Sequence, residues 1–221
     1  GTNSVTTAAL TANATYAIVS VATGGTPNCS QIISGQSALV TVKVLPTATI
    51  SGATTICSGT ATSITFNGTA NATVTYTING GANQTITLNA AGTNSVSTGA
   101  ITADATYAIV SVATGGTPNC SQTISGQSAL VTVKALATAT ISGATTICSG
   151  GTTSITFNGT ANAIVTYTIN GGSNQTITLN AAGTNTVTTA ALTANTTYAI
   201  VSVATGGTPN CSQNITGQSA L

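Results

Sequence analysis

Residues Thr73–Gly81 read TVTYTINGG. Val74, Tyr76 and Ile78 alternate with Thr73, Thr75 and Thr77, and the run stops at Asn-Gly-Gly. A period of two puts the apolar side chains on one face and the threonines on the other, the pattern of a half-buried β-strand. Asn and Gly tolerate positive φ, so the tripeptide reads as a turn. The same grammar runs outward in both directions. ATSITFNGT (Ala61–Thr69) sets Ile64 and Phe66 against Thr65 and Asn67, and QTITLN (Gln84–Asn89) does so with Ile86 and Leu88. β-Branched Thr, Val and Ile dominate, and no segment shows a helical period. Further turn clusters stand at AAGTN from Ala90 and TGGTPN from Thr114. The reading is all-β, with about seven strands near 47–56, 62–68, 73–79, 84–89, 94–102, 106–114 and 128–134.

The unit recurs. TYAIVSVATGGTPNCSQ begins at Thr15, Thr106 and Thr197 without a change, and ATISGATTICSG begins at Ala48 and Ala139. Cys29, Cys120 and Cys211 are spaced by 91 residues, and Cys57 and Cys148 form a second set with the same spacing. That period exceeds the 20–50 residues of solenoid repeats and matches one small domain per copy. Breaks at VKVLPTAT (Val42–Thr49) and VKALATAT (Val133–Thr140) divide the chain into three parts. Residues 1–45 are the C-terminal half of a repeat, 46–136 a complete one, and 137–221 one lacking its last few residues. Both ends cut through a repeat, so the expectation is a stretch of a longer array.

Seven short strands in about 90–100 residues is the scale of an immunoglobulin-like β-sandwich. Tyr16, Tyr107 and Tyr198 each follow an apolar residue by six positions (Leu10, Ile101, Leu192). This spacing resembles the tyrosine corner of such sandwiches, a structural role in which the hydroxyl bonds back to the preceding turn. Tyr76 and Tyr167 stand where antibody domains carry Trp, and the cysteines fall outside the centres of the second and sixth strands. An antibody-type domain is therefore not expected.

Composition narrows the function classes. The chain has two lysines (Lys43, Lys134), one acidic residue (Asp104) and no histidine among 221 residues. Soluble domains average roughly 25% charged residues. Nucleic-acid binding by phosphate neutralisation needs a basic stripe, and a polybasic membrane contact needs the same. Neither partner is expected, nor is direct membrane insertion. Zinc needs clustered Cys and His, and calcium needs several carboxylates, so no metal and no cofactor are expected. Asp104 alone could serve general acid–base chemistry, yet its counterparts in the other copies are Asn13 and Asn195. A shared catalytic group would not be missing from two copies of three, so no catalytic residue is expected and the chain reads as a non-enzyme.

Two cysteines per repeat argue for an oxidising compartment and a structural bridge. The expected pairing is one bond per repeat, Cys57–Cys120 and Cys148–Cys211, with the partner of Cys29 upstream of residue 1. This requires the segment around Cys57 to fold back, because the first turn and the sixth-to-seventh-strand loop of such a sandwich lie at opposite ends. A bond from Cys57 to Cys211 of the next repeat avoids that and stands as an alternative, as do free buried thiols.

The succession PTATISGATTICSG, YTINGG, AAGT, TYAIVSV and NCSQ resembles the repeats of giant cell-surface adhesins of Bacteroidota. These include gliding-motility-associated adhesins and large proteins exported by type IX secretion. The resemblance covers nearly all of the chain, and its most distinctive part is the pair CSG and NCS at this spacing. It implies an extracellular, cell-surface location and a stalk or filament built of tandem sandwiches. The expected partners are neighbouring repeats of the same chain and identical chains in a fibre. The alternative is a binding module that engages glycan, ice or another polymer through threonine-rich strand faces.

Overall fold

The computed structural model describes residues 1–221 and is built of strands throughout. Residues 1–45 hold β1 (Ala14–Ala17), β2 (Ser20–Ala22), β3 (Ser30–Ile32) and β4 (Ser37–Val40). The complete repeat holds β5 (Ala48–Ser51), β6 (Thr54–Cys57), β7 (Ser63–Gly68), β8 (Thr73–Ile78) and β9 (Gln84–Thr87). It continues with β10 (Thr93–Ser97), β11 (Ala105–Ala113), β12 (Ser121–Thr123) and β13 (Ser128–Lys134). The third part holds β14 (Ala139–Ser142), β15 (Ser154–Gly159), β16 (Ile164–Ile169) and β17 (Gln175–Thr178), then β18 (Thr184–Thr188), β19 (Tyr198–Ala204), β20 (Ser212–Asn214) and β21 (Ser219–Ala220).

In residues 46–136 the strands form two sheets. One has the order β10-β7-β5, and the other β6-β13-β11-β8-β9 with β12 also pairing β11. All pairs are antiparallel except β6 with β13, which run parallel with Cys57 opposite Lys134. The inner faces meet in one core. Ile64 and Phe66 from the first sheet pack with Val74, Tyr76, Tyr107, Val112 and Val131 from the second, and the Phe66 and Tyr76 rings sit 4.9 Å apart. Residues 137–221 enclose a separate core around Phe157, Tyr167 and Tyr198, with the corresponding ring pair again at 4.9 Å. The alternation read from TVTYTI holds: Val74 and Tyr76 are buried, while Thr73, Thr75 and Thr77 are partly open.

The expected first strand, 47–56, is two strands in two different sheets. The switch falls at Gly52, whose φ is 112°. A Cβ there would lie 2.6 Å from the Ser63 carbonyl oxygen, so only glycine lets the chain turn against β7 and cross over. β6 then carries Cys57 along β13 to the far end of the sandwich. This crossover is what places the functional site.

Residues 1–45 repeat the sequence of β11–β13 but bury little. Tyr16 is 42% exposed and Ile18 54%, whereas Tyr107 and Ile109, their equivalents, are 2% and 5% exposed. The difference is the other half of the sandwich, which in residues 46–136 covers these faces. In the third part, residues 143–148 form no strand, because the equivalents of Val131–Lys134 are not among residues 1–221.

Candidate functional site

The site lies at the boundary between residues 46–136 and 137–221. Only Ala135 and Leu136 separate Lys134, the last residue of β13, from Ala137, which is fully buried in the next core. A two-residue connection without glycine leaves the two sandwiches little freedom to swing. Three further features fix the joint.

The first is a cysteine turn. β6 ends at Cys57, whose carbonyl accepts from the Thr60 N–H at 3.0 Å and from the Thr60 hydroxyl at 2.7 Å. The Ser58 N–H donates to the Lys134 carbonyl at 2.9 Å and the Gly59 N–H to that of Ile101 at 2.9 Å. The sulfur is thus held beside the end of β13, at the exit of the repeat.

The second is the loop TGGTPNC at the entrance of the following repeat. The Thr205 N–H donates to the Cys211 carbonyl at 3.0 Å, and the Cys211 N–H donates to the Thr205 hydroxyl at 3.1 Å. The loop is closed on itself and Cys211 is fully buried. The copies ending at Cys29 and Cys120 close in the same way, through Thr23 and Thr114.

The third is the lysine. Lys134 Nζ donates to the Gly206 carbonyl at 2.9 Å and the Pro209 carbonyl at 3.1 Å. At the preceding boundary Lys43 Nζ makes the same two bonds, to Gly115 at 3.2 Å and Pro118 at 3.3 Å. The only two basic side chains of the protein therefore do one job: each clamps the end of one repeat onto the loop of the next. Backbone carbonyls gathered in a loop present partial negative charge, and an ammonium group with three donors can satisfy several at once.

Between these elements runs the disulfide. Cys57 is bonded to Cys211, with Cα atoms 5.4 Å apart and a separation of 154 positions in sequence. Cys29, Cys120 and Cys148 are free. The expected bonds Cys57–Cys120 and Cys148–Cys211 are thus replaced by one bond that joins two repeats. The reason is the parallel β6–β13 pairing, which delivers Cys57 to the exit of its repeat. Cys120 closes the loop at the entrance, where its Sγ lies 4.0 Å from the Lys43 carbonyl oxygen of the part before. A bond within one repeat would have to cross the length of the sandwich. A disulfide at this joint belongs to an oxidising environment.

Two of the three tyrosines, Tyr107 and Tyr198, are core residues. Tyr107 stacks on Tyr76 with ring centroids 6.3 Å apart, Tyr198 lies 6.2 Å from Tyr167, and Tyr16 remains half exposed. The Tyr107 hydroxyl makes no hydrogen bond to the preceding turn, so the corner bond is not formed. The turn is instead held by Asp104, whose carboxylate accepts from the Val133 N–H at 2.7 Å. Asn13 does the same for Val42 at 2.8 Å. An amide oxygen serves as well as a carboxylate for this bond, which explains why the acid is not shared between copies.

No group of three or more His, Cys, Asp or Glu side chains converges in the structure. No helix is long and apolar enough to cross a membrane. No protein-family model matches the sequence, and no curated protein matches it either.

Proposed function

We propose that the chain is a tension-bearing segment of tandem β-sandwiches, the stalk or filament of an extracellular bacterial surface adhesin, with no catalytic role. The observation that carries this reading is the disulfide between repeats, Cys57–Cys211, reinforced at the same joint by Lys134. A covalent bond placed at a boundary resists pulling and bending between repeats, which a stalk needs and an isolated binding domain does not. The oxidising setting suits the cell exterior. The likeness of the repeat to those of Bacteroidota adhesins adds export by type IX secretion and service in gliding or attachment.

The test is labelling of intact source cells with an antibody to residues 46–221, followed by imaging of the labelled structures. Surface labelling along beaded rods or fibres supports the reading. Labelling that appears only after permeabilisation overturns it.

A second reading has its own observation. On β8 and β9, Thr73 pairs with Thr87 and Thr75 with Thr85, giving a regular outward patch of hydroxyls. Such a patch could engage a polymer surface. It predicts retention of the oxidised protein on crystalline polysaccharide or ice, lost in the Thr75→Lys and Thr85→Lys double variant; the stalk reading predicts no retention.

A further inference from the structure

We infer that the same bond is made at every boundary of the array, so that Cys148 and Cys120 are halves of the joints on either side. Cys148 takes the closing cysteine of the repeat that follows, and Cys120 takes the ICSG cysteine of the repeat before. The partner in both cases is a further copy of this repeat. This deepens the stalk reading and rests on it for its purpose, but the bonds form or fail to form whatever the stalk carries.

Each half-joint is built in part, the strand leading to Cys148 being unformed. The residues around Cys148 repeat those around Cys57, from Ala139 to Gly150. The turn that follows is held by the same bonds, Gly151 N–H to the Cys148 carbonyl and Gly150 N–H to that of Leu192, at 2.9 and 2.8 Å. Cys148 is exposed at its tip. On the other side, the loop of Cys120 is clamped by Lys43 as that of Cys211 is by Lys134. Cys57 lies opposite Lys134 in the β6–β13 register, so the residue opposite Lys43 in a complete preceding repeat is an ICSG cysteine. Cys120 Sγ already faces the Lys43 carbonyl.

Cys120 and Cys148 do not bond each other. One sits at the entrance of its repeat and the other at the exit of the next, and the chain between them runs out through β12, β13 and β14.

Formation of each bond removes two protons and two electrons from a pair of thiols. A small disulfide such as oxidised glutathione accepts them through two exchange steps, passing through a mixed disulfide and releasing two thiols.

The consequence is mechanical. The loop closed by Cys57–Cys211 contains Cys120 and Cys148, whose own partners lie outside it, so successive loops overlap. A covalent path through the array then crosses one bond and the 28 residues from one closing cysteine to the next ICSG cysteine for every two repeats. Fully stretched, that path is about 90–100 Å at about 3.3–3.6 Å per residue. Two unbonded repeats would reach about 600–650 Å by the same rule. Strands β12, β13 and β14 lie along that path, so the bonded array can lengthen far less than the unbonded one before it is taut.

The experiment adds one repeat, a copy of residues 131–221 joined after Leu221, which continues the 91-residue period. In that copy the residue equivalent to Asn214 is changed to Ala, so that its closing-cysteine peptide has a mass of its own. The chain is oxidised in a glutathione buffer, its thiols are counted by alkylation, and its peptides are mapped without reduction. Three thiols are free in the 221-residue chain; the added repeat brings two more cysteines, and the inference expects the free count to stay at three. Cys148 should be linked to the tagged peptide, and Cys57–Cys211 should persist. In Cys148→Ser the tagged cysteine should become alkylatable. Five free thiols in the extended chain, or Cys148 linked to any cysteine within residues 1–221, overturns the inference.

Discussion

Pulling residues 1–221 by their ends distinguishes a joint between repeats from a staple within one. The Cα atoms of Cys57 and Cys211 are 5.4 Å apart, so force entering at Cys57 leaves through Cys211 without loading the residues between. That separation of 154 positions holds a gross length of about 500–550 Å at about 3.3–3.6 Å per residue, all of it shielded while the bond is intact. With the three free thiols alkylated under native conditions, the oxidised chain should give no step that releases the residues between the two cysteines; only the flanking strands β5, β6, β20 and β21, which the bridge does not shield, can be peeled away. After reduction the two sandwiches should unfold separately, each with a gross length of about 300 Å less its folded diameter of about 30–40 Å. Optical-trap records before and after reductant supply the comparison. Steps of equal number and size in both conditions would show that no bond joins the two repeats. Short oxidised steps of about 90–100 Å would instead mark a bond inside each repeat.

Three further outcomes follow from the core, the joint and the titratable groups. Phe66→Ala removes a fully buried ring and should cost about 3–5 kcal/mol in the 46–136 sandwich, with the 137–221 sandwich little changed by calorimetry because its core is separate. Lys134→Ala removes two charge-assisted bonds and should weaken the joint by about 1–2 kcal/mol, read as several-fold faster reduction of Cys57–Cys211 by dithiothreitol. Burial raises the Tyr107 and Tyr167 hydroxyls above their ordinary value, with the neighbouring tyrosine adding to it. A raised folded value means that the unfolded chain loses these protons first. Stability should therefore be level below pH about 10 and fall as the pH rises through the folded values, measured by thermal melts of alkylated protein.

Most of the sandwich was legible in the residues. The two-fold alternation of TVTYTI and SITF and the Asn-Gly turns are local signals, and the structure keeps them as strands β7 and β8 and as positive-φ turns at Asn79 and Asn170. The all-β reading holds for that reason. Two features were not local. The first strand divides at Gly52 because of a close approach to β7, from eleven residues further along. Nothing in ATISGATTIC says which sheet its second half joins. The disulfide depends on that choice, since β6 beside β13 sends Cys57 away from Cys120. The signal available in the sequence was the placement of the two cysteines at opposite ends of an immunoglobulin-like topology, which argued against the pairing within one repeat. The lysines gave a second one: in an almost uncharged protein, two basic residues at the same place in successive linkers mark the joint they clamp.

Peptide mapping of oxidised residues 1–221 without reduction reads the bond between repeats at first hand. The five cysteines are distinguishable despite the repeats. CSGTATS begins at Cys57 where CSGGTTS begins at Cys148, and Ile32, Thr123 and Asn214 differ in the peptides of Cys29, Cys120 and Cys211. A single linked pair, Cys57 with Cys211, and three alkylated thiols are expected. Linkage of Cys57 to Cys120 and of Cys148 to Cys211 would contradict that bond.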